Sequence, residues 1–155
     1  MYLFLKKYKS KNKWDMWAAT DPDLETEIIG SYEVSVSDNI DMVMETTRQL
    51  REFCNAHQLG TGKSFRICLA VEEIAGNIVE HGFTGKKGKH FIDLRLTLEK
   101  DGSGCLSLRD NGVKFNPLEY RNKDTQYGLA IIRGISEKID YHYVASMNCL
   151  NVIIR

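Results

Sequence analysis

Residues 69–82, LAVEEIAGNIVEHG, combine a helical apolar repeat with polar side chains that can share one site. On a helical wheel the apolar residues form one broad sector, whereas Glu73 and Asn77 lie four residues apart in another. An amide oxygen is a hard ligand for Mg²⁺, and a carboxylate beside it can accept a proton or hold a water molecule. The pattern predicts an amphipathic helix over about 62–81, although alone it also fits an ordinary solvated helix face.

Two further motifs follow along the chain. Asp110-Asn111-Gly112 comes after an alternating strand, where the aspartate can accept a hydrogen bond from the adenine amine and the glycine lets the backbone approach the ring. Gly128-Leu129-Ala130 is predicted to open a helix, whose N–H groups and dipole favour phosphate oxygens. Singly, these motifs are typical of a tight turn and a plain helix start. The three motifs in fixed order favour a nucleotide site.

The periodicity of the rest of the chain predicts an α+β fold. A two-layer sandwich is expected, with a mixed, mostly antiparallel sheet and about three helices on one face. The first predicted elements are a strand ending at Ser37 and two helices, over 38–58 and 62–81. A hairpin follows, formed by a strand over 91–98 and a strand through Leu106 and Leu108. The rest is predicted as a loop over 111–127, a helix over 128–138, and a hairpin of strands 139–144 and 150–154 with its turn at 145–148.

Length and charge bound the possible classes of function. The 155 residues suit one domain, predicted over 31–155 after an arm or linker over 1–30. The formal net charge is zero, which argues against nucleic acid as the main partner. The cysteines are scattered without a metal-ligand spacing, so buried thiols in a reducing cytoplasm are expected of Cys54, Cys68, Cys105 and Cys149.

The arm leaves two interpretations open. Its apolar run Tyr2–Leu5 is followed by five lysines before the first acid, Asp15, which is consistent with a solvated terminus. The same order resembles the cytoplasmic flank of a membrane helix, which would make the chain a piece of a longer protein. The run itself is too short to span a bilayer, so no transmembrane segment is expected within this chain.

Residues 69–82, together with Asp110-Asn111-Gly112 and Gly128-Leu129-Ala130-Ile131-Ile132, resemble the Bergerat-fold (GHKL) ATPases of gyrase, chaperone and histidine-kinase type. Within that group they look most like bacterial anti-sigma factor serine/threonine kinases. The resemblance covers about residues 32–155. A phosphoacceptor-histidine helix does not precede the fold, so a complete histidine-kinase core is not expected.

The resemblance implies roles for individual residues and for ligands. Glu73 would be the catalytic base, Asn77 would bind the Mg²⁺ that bridges the ATP phosphates, and Asp110 would contact adenine. The segment 113–127 would be an ATP lid, in which Arg121 or Lys123 reaches the terminal phosphate. Phosphate and base contacts would come from the two glycine motifs, at Gly112, Gly128, Leu129 and Ala130.

The sequence departs from the family pattern at two places. Ala130 stands where a second glycine is frequent, which adds a methyl group at the phosphate turn. Many relatives have Gly-Gly-Thr before the final strand, whereas this chain has Met147-Asn148-Cys149-Leu150, so a usual hydroxyl on the adenine side is missing.

Three functions remain open at this point. The expected one is a cytoplasmic kinase that phosphorylates a small anti-anti-sigma (antagonist) protein and also binds a sigma factor, as a possible homodimer. The alternatives are an ATP-binding regulatory module of a larger sensor, and a simple ATPase in which Glu73 activates water.

Overall fold

The computed structural model describes residues 27–116, 119 and 123–155, and of residues 123–127 the backbone alone. This part of the chain forms five strands and three α-helices. In chain order they are β1 (Ile28–Ser37), α1 (Ile40–Ala56), α2 (Thr61–Asn77), β2 (Phe91–Glu99), β3 (Gly104–Asp110), α3 (Lys123–Ile135), β4 (Lys138–Val144) and β5 (Met147–Ile154). In these same residues, no helix is both long and apolar enough to span a bilayer.

The strands form one sheet in the order β1-β2-β3-β5-β4. Every pairing in the described part of the chain is antiparallel. The final strand therefore lies between β3 and β4, although α3 and β4 separate it from β3 in sequence. The predicted α+β class with three helices on the sheet is confirmed, and the sheet, predicted to be mixed but mostly antiparallel, is antiparallel at every described pairing.

The core lies between the helices and one face of the sheet. Side chains alternate between the two faces of a strand, so every second residue of β2, β3 and β5 enters this layer. The large buried apolar side chains include Ile92, Leu94, Leu96, Leu98, Leu106, Leu108, Val152 and Ile154 from the sheet, and Val43, Leu50, Ile67 and Val71 from the helices. α3 contributes Ile132, which is also buried.

On this face of the sheet, the buried apolar side chains give way to polar side chains at one end of β3 and β5. Asp110, two residues after Leu108, pairs with Ile92 of β2 on one side and with Asn148 of β5 on the other. Both polar side chains are buried. The sheet thus places a buried aspartate and a buried asparagine side by side at the rim of the core, where the site described below is built.

Helix α3 begins at Lys123, so the prediction that a helix begins at Gly128 is wrong. Residues 123–127 contain neither glycine nor proline, and nothing in them prevents a helix. These residues lack an apolar helical repeat, but such a repeat is expected only in helical turns that pack on a core. Gly128 therefore lies in the second turn of α3, and the predicted loop over 111–127 is shorter.

The last hairpin also differs from the prediction. The turn consists of Ala145 and Ser146 alone, with φ values of 52° and 61°, and β5 begins at Met147. Two successive left-handed residues suit a tight hairpin, and Asn-Gly is the usual signal for one. Because that signal is absent, the turn was predicted too long, and Asn148 was placed in it instead of in the strand.

The four cysteines are free thiols and form no disulfide. Cys54, Cys68 and Cys149 are buried, and Cys105 is half-buried. Burial raises the pKa of Cys54 and of Cys149 to about 11. These two thiols are therefore protonated at neutral pH and behave as small apolar side chains.

Candidate functional site

A cavity of about 290 Å³ opens where α2 and α3 meet the rim of the sheet. Its lining is largely apolar, and two groups of polar residues interrupt it. Such a combination is typical of a site for a small molecule with a flat apolar part and a polar part. The lining residues are Glu73, Ile74, Asn77, Ile78, His81, Gly82, Asp110, Val113, Phe115, Gly128, Leu129, Ile132, Ile139, Tyr141, Asn148 and Leu150.

Helix α2 brings Glu73 and Asn77 to the cavity together. Both side chains are half-buried, and their spacing of four residues puts them on one side of the helix. Asn77 is the last residue of α2, and a π-helical turn over Ile78–Gly82 follows it. Single π-helical turns are rare and are frequent at functional sites.

Gly128 is the point at which α3 approaches this pair. A Cβ atom built at Gly128 would lie 2.5 Å from Glu73 Oε2 and 3.6 Å from Asn77 Nδ2. Glycine therefore leaves the space that the Glu73 carboxylate occupies. The structure thus brings Glu73, Asn77 and Gly128 together, although not through the N-terminus of a helix, because Gly128 lies inside α3.

Asp110 forms the second polar group and is only 5% exposed. Its Oδ1 accepts hydrogen bonds from the Gly112 backbone N–H at 2.8 Å and from Asn148 Nδ2 at 3.0 Å. Burial raises the pKa of Asp110 above its ordinary value, against the opposing effects of these two donors and of the positive charge of Lys86. Asp110 is therefore a constrained, partly desolvated acceptor at the cavity wall.

The turn after Asp110 is clamped onto the π-helical turn. Val113 N–H donates to the Gly82 carbonyl at 2.8 Å, and a Cβ at Gly112 would lie only 2.5 Å from that same oxygen. Lys86 Nζ donates to the Gly112 carbonyl at 2.9 Å from the other side. Gly112 is thus required for a close approach between two backbones, whereas the sequence predicted that it lets the backbone approach a ligand, and it is not one of the residues that line the cavity.

Asn148 is the site residue that the sequence did not predict. It lines the cavity, is 6% exposed, and forms hydrogen bonds with Asp110, Val113, Phe115 and Tyr141. It stands in the segment whose departure from the family pattern predicted a missing hydroxyl. The signal that could have found it is the register, because only its position opposite Asp110 shows that a carboxamide faces the site.

The remaining predicted residues are placed as follows. Leu129 lines the cavity, whereas Ala130 is exposed on α3 and is not part of the lining. Lys123 is the first residue of α3, and its side chain lies outside the described part of the structure. Arg121 lies outside the described residues altogether. The structure therefore gives no contact for either of the two cations expected in the lid.

The residues of the site fit Mg²⁺-ATP by their chemistry. Asn77 offers an amide oxygen and Glu73 a carboxylate, which are hard donors that suit Mg²⁺. Among the described residues, no group of three or more His, Cys, Asp or Glu side chains could hold a metal ion. The two protein donors, Asn77 and Glu73, suit a metal ion that is held mainly by phosphate oxygens and water, as Mg²⁺ usually is in nucleotide sites. The apolar lining suits a purine ring.

Comparison with known families agrees with this chemistry. A family model described as "Histidine kinase-like ATPase domain" matches residues 36–154. That range contains both polar groups and the whole sheet except most of β1, of which only the last two residues are matched. No curated protein matches the chain significantly.

Several solved structures share the fold at low sequence identity. The RsbU and RsbW domains of Rv1364c from Mycobacterium tuberculosis match with a TM-score of 0.63 and 21% identity, over 81% of this chain and 32% of that chain. This protein thus spans about a third of the length of that relative. The SiaB-SiaC complex from Pseudomonas aeruginosa matches with a TM-score of 0.62 and 16% identity, over 83% of this chain and 90% of that chain.

A more distant match has the same fold. It is the histidine kinase domain of a blue-light activated histidine kinase from Erythrobacter litoralis, with a TM-score of 0.51 and 14% identity, over 80% and 67% of the two chains. At these identities the structures establish a shared fold and not a shared activity.

Proposed function

This chain belongs to the histidine kinase-like ATPase domain family, and from that premise we propose that it is a Mg²⁺-dependent serine/threonine protein kinase that phosphorylates a partner protein. The observation that carries the proposal is the meeting of Glu73, Asn77 and Gly128 in the same cavity as Asp110. The proposed catalytic unit is the domain over 31–155, with residues 1–30 as arm or linker.

Asp110 is proposed to recognise the base. Its Oδ1 is engaged by Gly112 and Asn148, so the carboxylate is held in one orientation. A carboxylate oxygen accepts hydrogen bonds only, which suits the exocyclic amine of adenine. The apolar residues of the lining, among them Ile78 and Leu129, would pack against the faces of the ring.

Asn77 and Glu73 are proposed to act at the phosphates. The Asn77 amide oxygen would bind Mg²⁺, which when bound neutralises phosphate charge. The Glu73 carboxylate would accept the proton of the attacking serine hydroxyl, and Gly128 keeps the space that this carboxylate needs. Arg121 and Lys123 are the proposed cations for the terminal phosphate.

The proposed acceptor is a serine of a small anti-anti-sigma (antagonist) protein. Support comes from two fold relatives, one of which contains an RsbW domain and the other of which is a complex of SiaB with SiaC. A sigma factor is the proposed second partner, a homodimer the proposed assembly, and the cytoplasm the proposed location.

The test is incubation of the protein with γ-labelled ATP, Mg²⁺ and candidate partner proteins from the same genome. Label on a partner serine supports the kinase. Free labelled phosphate without labelled partner would instead identify an ATPase, in which Glu73 activates water. Tight ATP binding with neither product would identify a regulatory module and overturn the kinase proposal.

A further inference from the structure

Asn148 joins three parts of the cavity wall through one carboxamide. Its Nδ2 donates to Asp110 Oδ1 at 3.0 Å and to the Val113 carbonyl at 2.8 Å. Its Oδ1 accepts from the Phe115 backbone N–H at 3.0 Å and from the Tyr141 hydroxyl at 2.6 Å. The side chain is 6% exposed, so these contacts replace solvent almost completely.

The partners determine which way the amide faces. A backbone N–H can only donate and a backbone carbonyl can only accept, so Phe115 requires the amide oxygen and Val113 requires the amide nitrogen. The second N–H of Asn148 must then point at Asp110. Both N–H groups and both lone pairs of the carboxamide are used within the protein, and no capacity is left for a ligand.

This arrangement determines what Asp110 can offer. Oδ1 accepts two hydrogen bonds, from Gly112 and Asn148, whereas Oδ2 accepts none within the described residues. Because Asp110 lines the cavity, Oδ2 is the acceptor available to a bound molecule. Without the Asn148 N–H, only the Gly112 N–H would hold the carboxylate, whose plane could then turn so that the second oxygen no longer faces the cavity.

We propose that Asn148 is the positioning residue for base selectivity: it directs Asp110 Oδ2 at the ligand, and so makes the cavity select a purine that has an exocyclic amine over one that has a carbonyl there. The inference rests on the proposed ATP site. An amine donates to Oδ2, whereas a carbonyl would place two acceptors face to face, which leaves a buried carboxylate unsatisfied.

The test compares the dissociation constants of ATP and inosine triphosphate, which carries a carbonyl in place of the amine. Wild type is expected to bind ATP at least tenfold more tightly, because a hydrogen bond to a charged group is involved. Asn148→Ala should reduce that ratio severalfold or more, mainly by weakening ATP. Asp110→Asn should invert the ratio, because its amide oxygen would accept from Gly112 and Asn148 and its amide nitrogen would then donate toward the cavity, which favours the carbonyl of inosine triphosphate.

Asn151→Ala is the matched control. Asn151 lies on the same strand and is 2% exposed, but it accepts a hydrogen bond from Ser107 on the face of the sheet away from the cavity. Its loss should destabilise the fold as the loss of another buried asparagine would, and leave the nucleotide ratio at its wild-type value. Equal weakening of both nucleotides in Asn148→Ala, with an unchanged ratio, would make Asn148 merely structural and overturn the inference.

Asn148→Thr keeps the test decisive where Asn148→Ala does not fold. Threonine suits a strand, and its single hydroxyl hydrogen can serve Asp110 or Val113 but not both. The expected ratio is intermediate, and a wild-type ratio would contradict the proposal. Failure of the site itself is distinguishable, because wild type would then bind neither nucleotide, whereas failure of the inference leaves wild-type binding and selectivity intact.

Discussion

Glu72 and Glu73 are neighbouring, half-buried carboxylates of one helix, and only Glu73 lines the cavity. Glu73→Gln keeps the size of the side chain and removes the proton acceptor. Phosphoryl transfer should fall on the order of a hundredfold or more, with ATP affinity largely kept. Glu72→Gln is the control and should keep its rate, measured with γ-labelled ATP. An undiminished rate in Glu73→Gln would exclude it as the acceptor of the proton.

At Asp110, the role proposed in ligand binding and the contribution to folding stability oppose each other. Burial raises its pKa, so the folded protein holds a proton that the unfolded chain has already released. The contribution of Asp110 to folding is therefore most favourable at acidic pH and is lost as the pH rises through the raised pKa. Above that raised pKa the folded state holds a desolvated charge that a neutral side chain would not carry.

Asp110→Asn should therefore unfold at a higher temperature than wild type at neutral pH, without nucleotide. The amide oxygen can still accept from Gly112 and Asn148, and the charge is absent. The advantage should shrink as the pH falls toward the ordinary value of 3.8. Thermal unfolding followed by circular dichroism across this range measures it, and an advantage that does not vary with pH would contradict the assignment.

At the scale of elements, the approach of α3 to α2 can be tested with two glycines of one helix. Gly134 is exposed with open space around its Cα, whereas a Cβ at Gly128 meets the Glu73 carboxylate. Gly134→Ala should stabilise the fold by up to about 1 kcal/mol through helix propensity. Gly128→Ala should stabilise the fold less than Gly134→Ala does. It should also lower the rate of phosphoryl transfer severalfold, because its methyl group displaces the Glu73 carboxylate.

Chemical denaturation and the labelled-ATP assay read out this pair of variants. The decisive quantity is the difference between them, since both replace a glycine of the same helix by alanine. If both variants gained equal stability and kept full activity, the contact between Gly128 and Glu73 would have no role in positioning the carboxylate.

At the scale of the molecule, the cavity exists only when five elements of the chain are folded together. α2, the end of β3, α3, β4 and β5 each supply part of the lining. A ligand that binds only this assembled state must stabilise it. At a hundredfold excess over its dissociation constant, Mg²⁺-ATP should add about 2.7 kcal/mol to the free energy of unfolding.

A thermal-shift titration with Mg²⁺-ATP measures this stabilisation in the wild-type protein. Asp110→Asn should show a much smaller shift at the same concentrations, because the contact with the base is weakened. The absence of any shift at millimolar Mg²⁺-ATP would contradict the proposed site as a whole.

The sequence alone determined those features that depend on neighbours along the chain. The strict alternation of β2 and the apolar repeats of α1 and α2 predicted elements that the structure confirms within a few residues. The spacing of Glu73 and Asn77 likewise predicted that they share one side of a helix. Each of these depends on the period of a single helix or strand, which local sequence expresses directly.

Only the tertiary structure decided how those elements meet. The register that sets Asn148 beside Asp110, and the contact that makes Gly128 the neighbour of Glu73, join residues 38 and 55 positions apart. No repeat along the chain encodes such pairs, because the packing of the whole core selects the register and the distance between helices. For that reason the sequence does not predict the position of the Asn148 carboxamide, which the fold places beside Asp110 at the cavity wall.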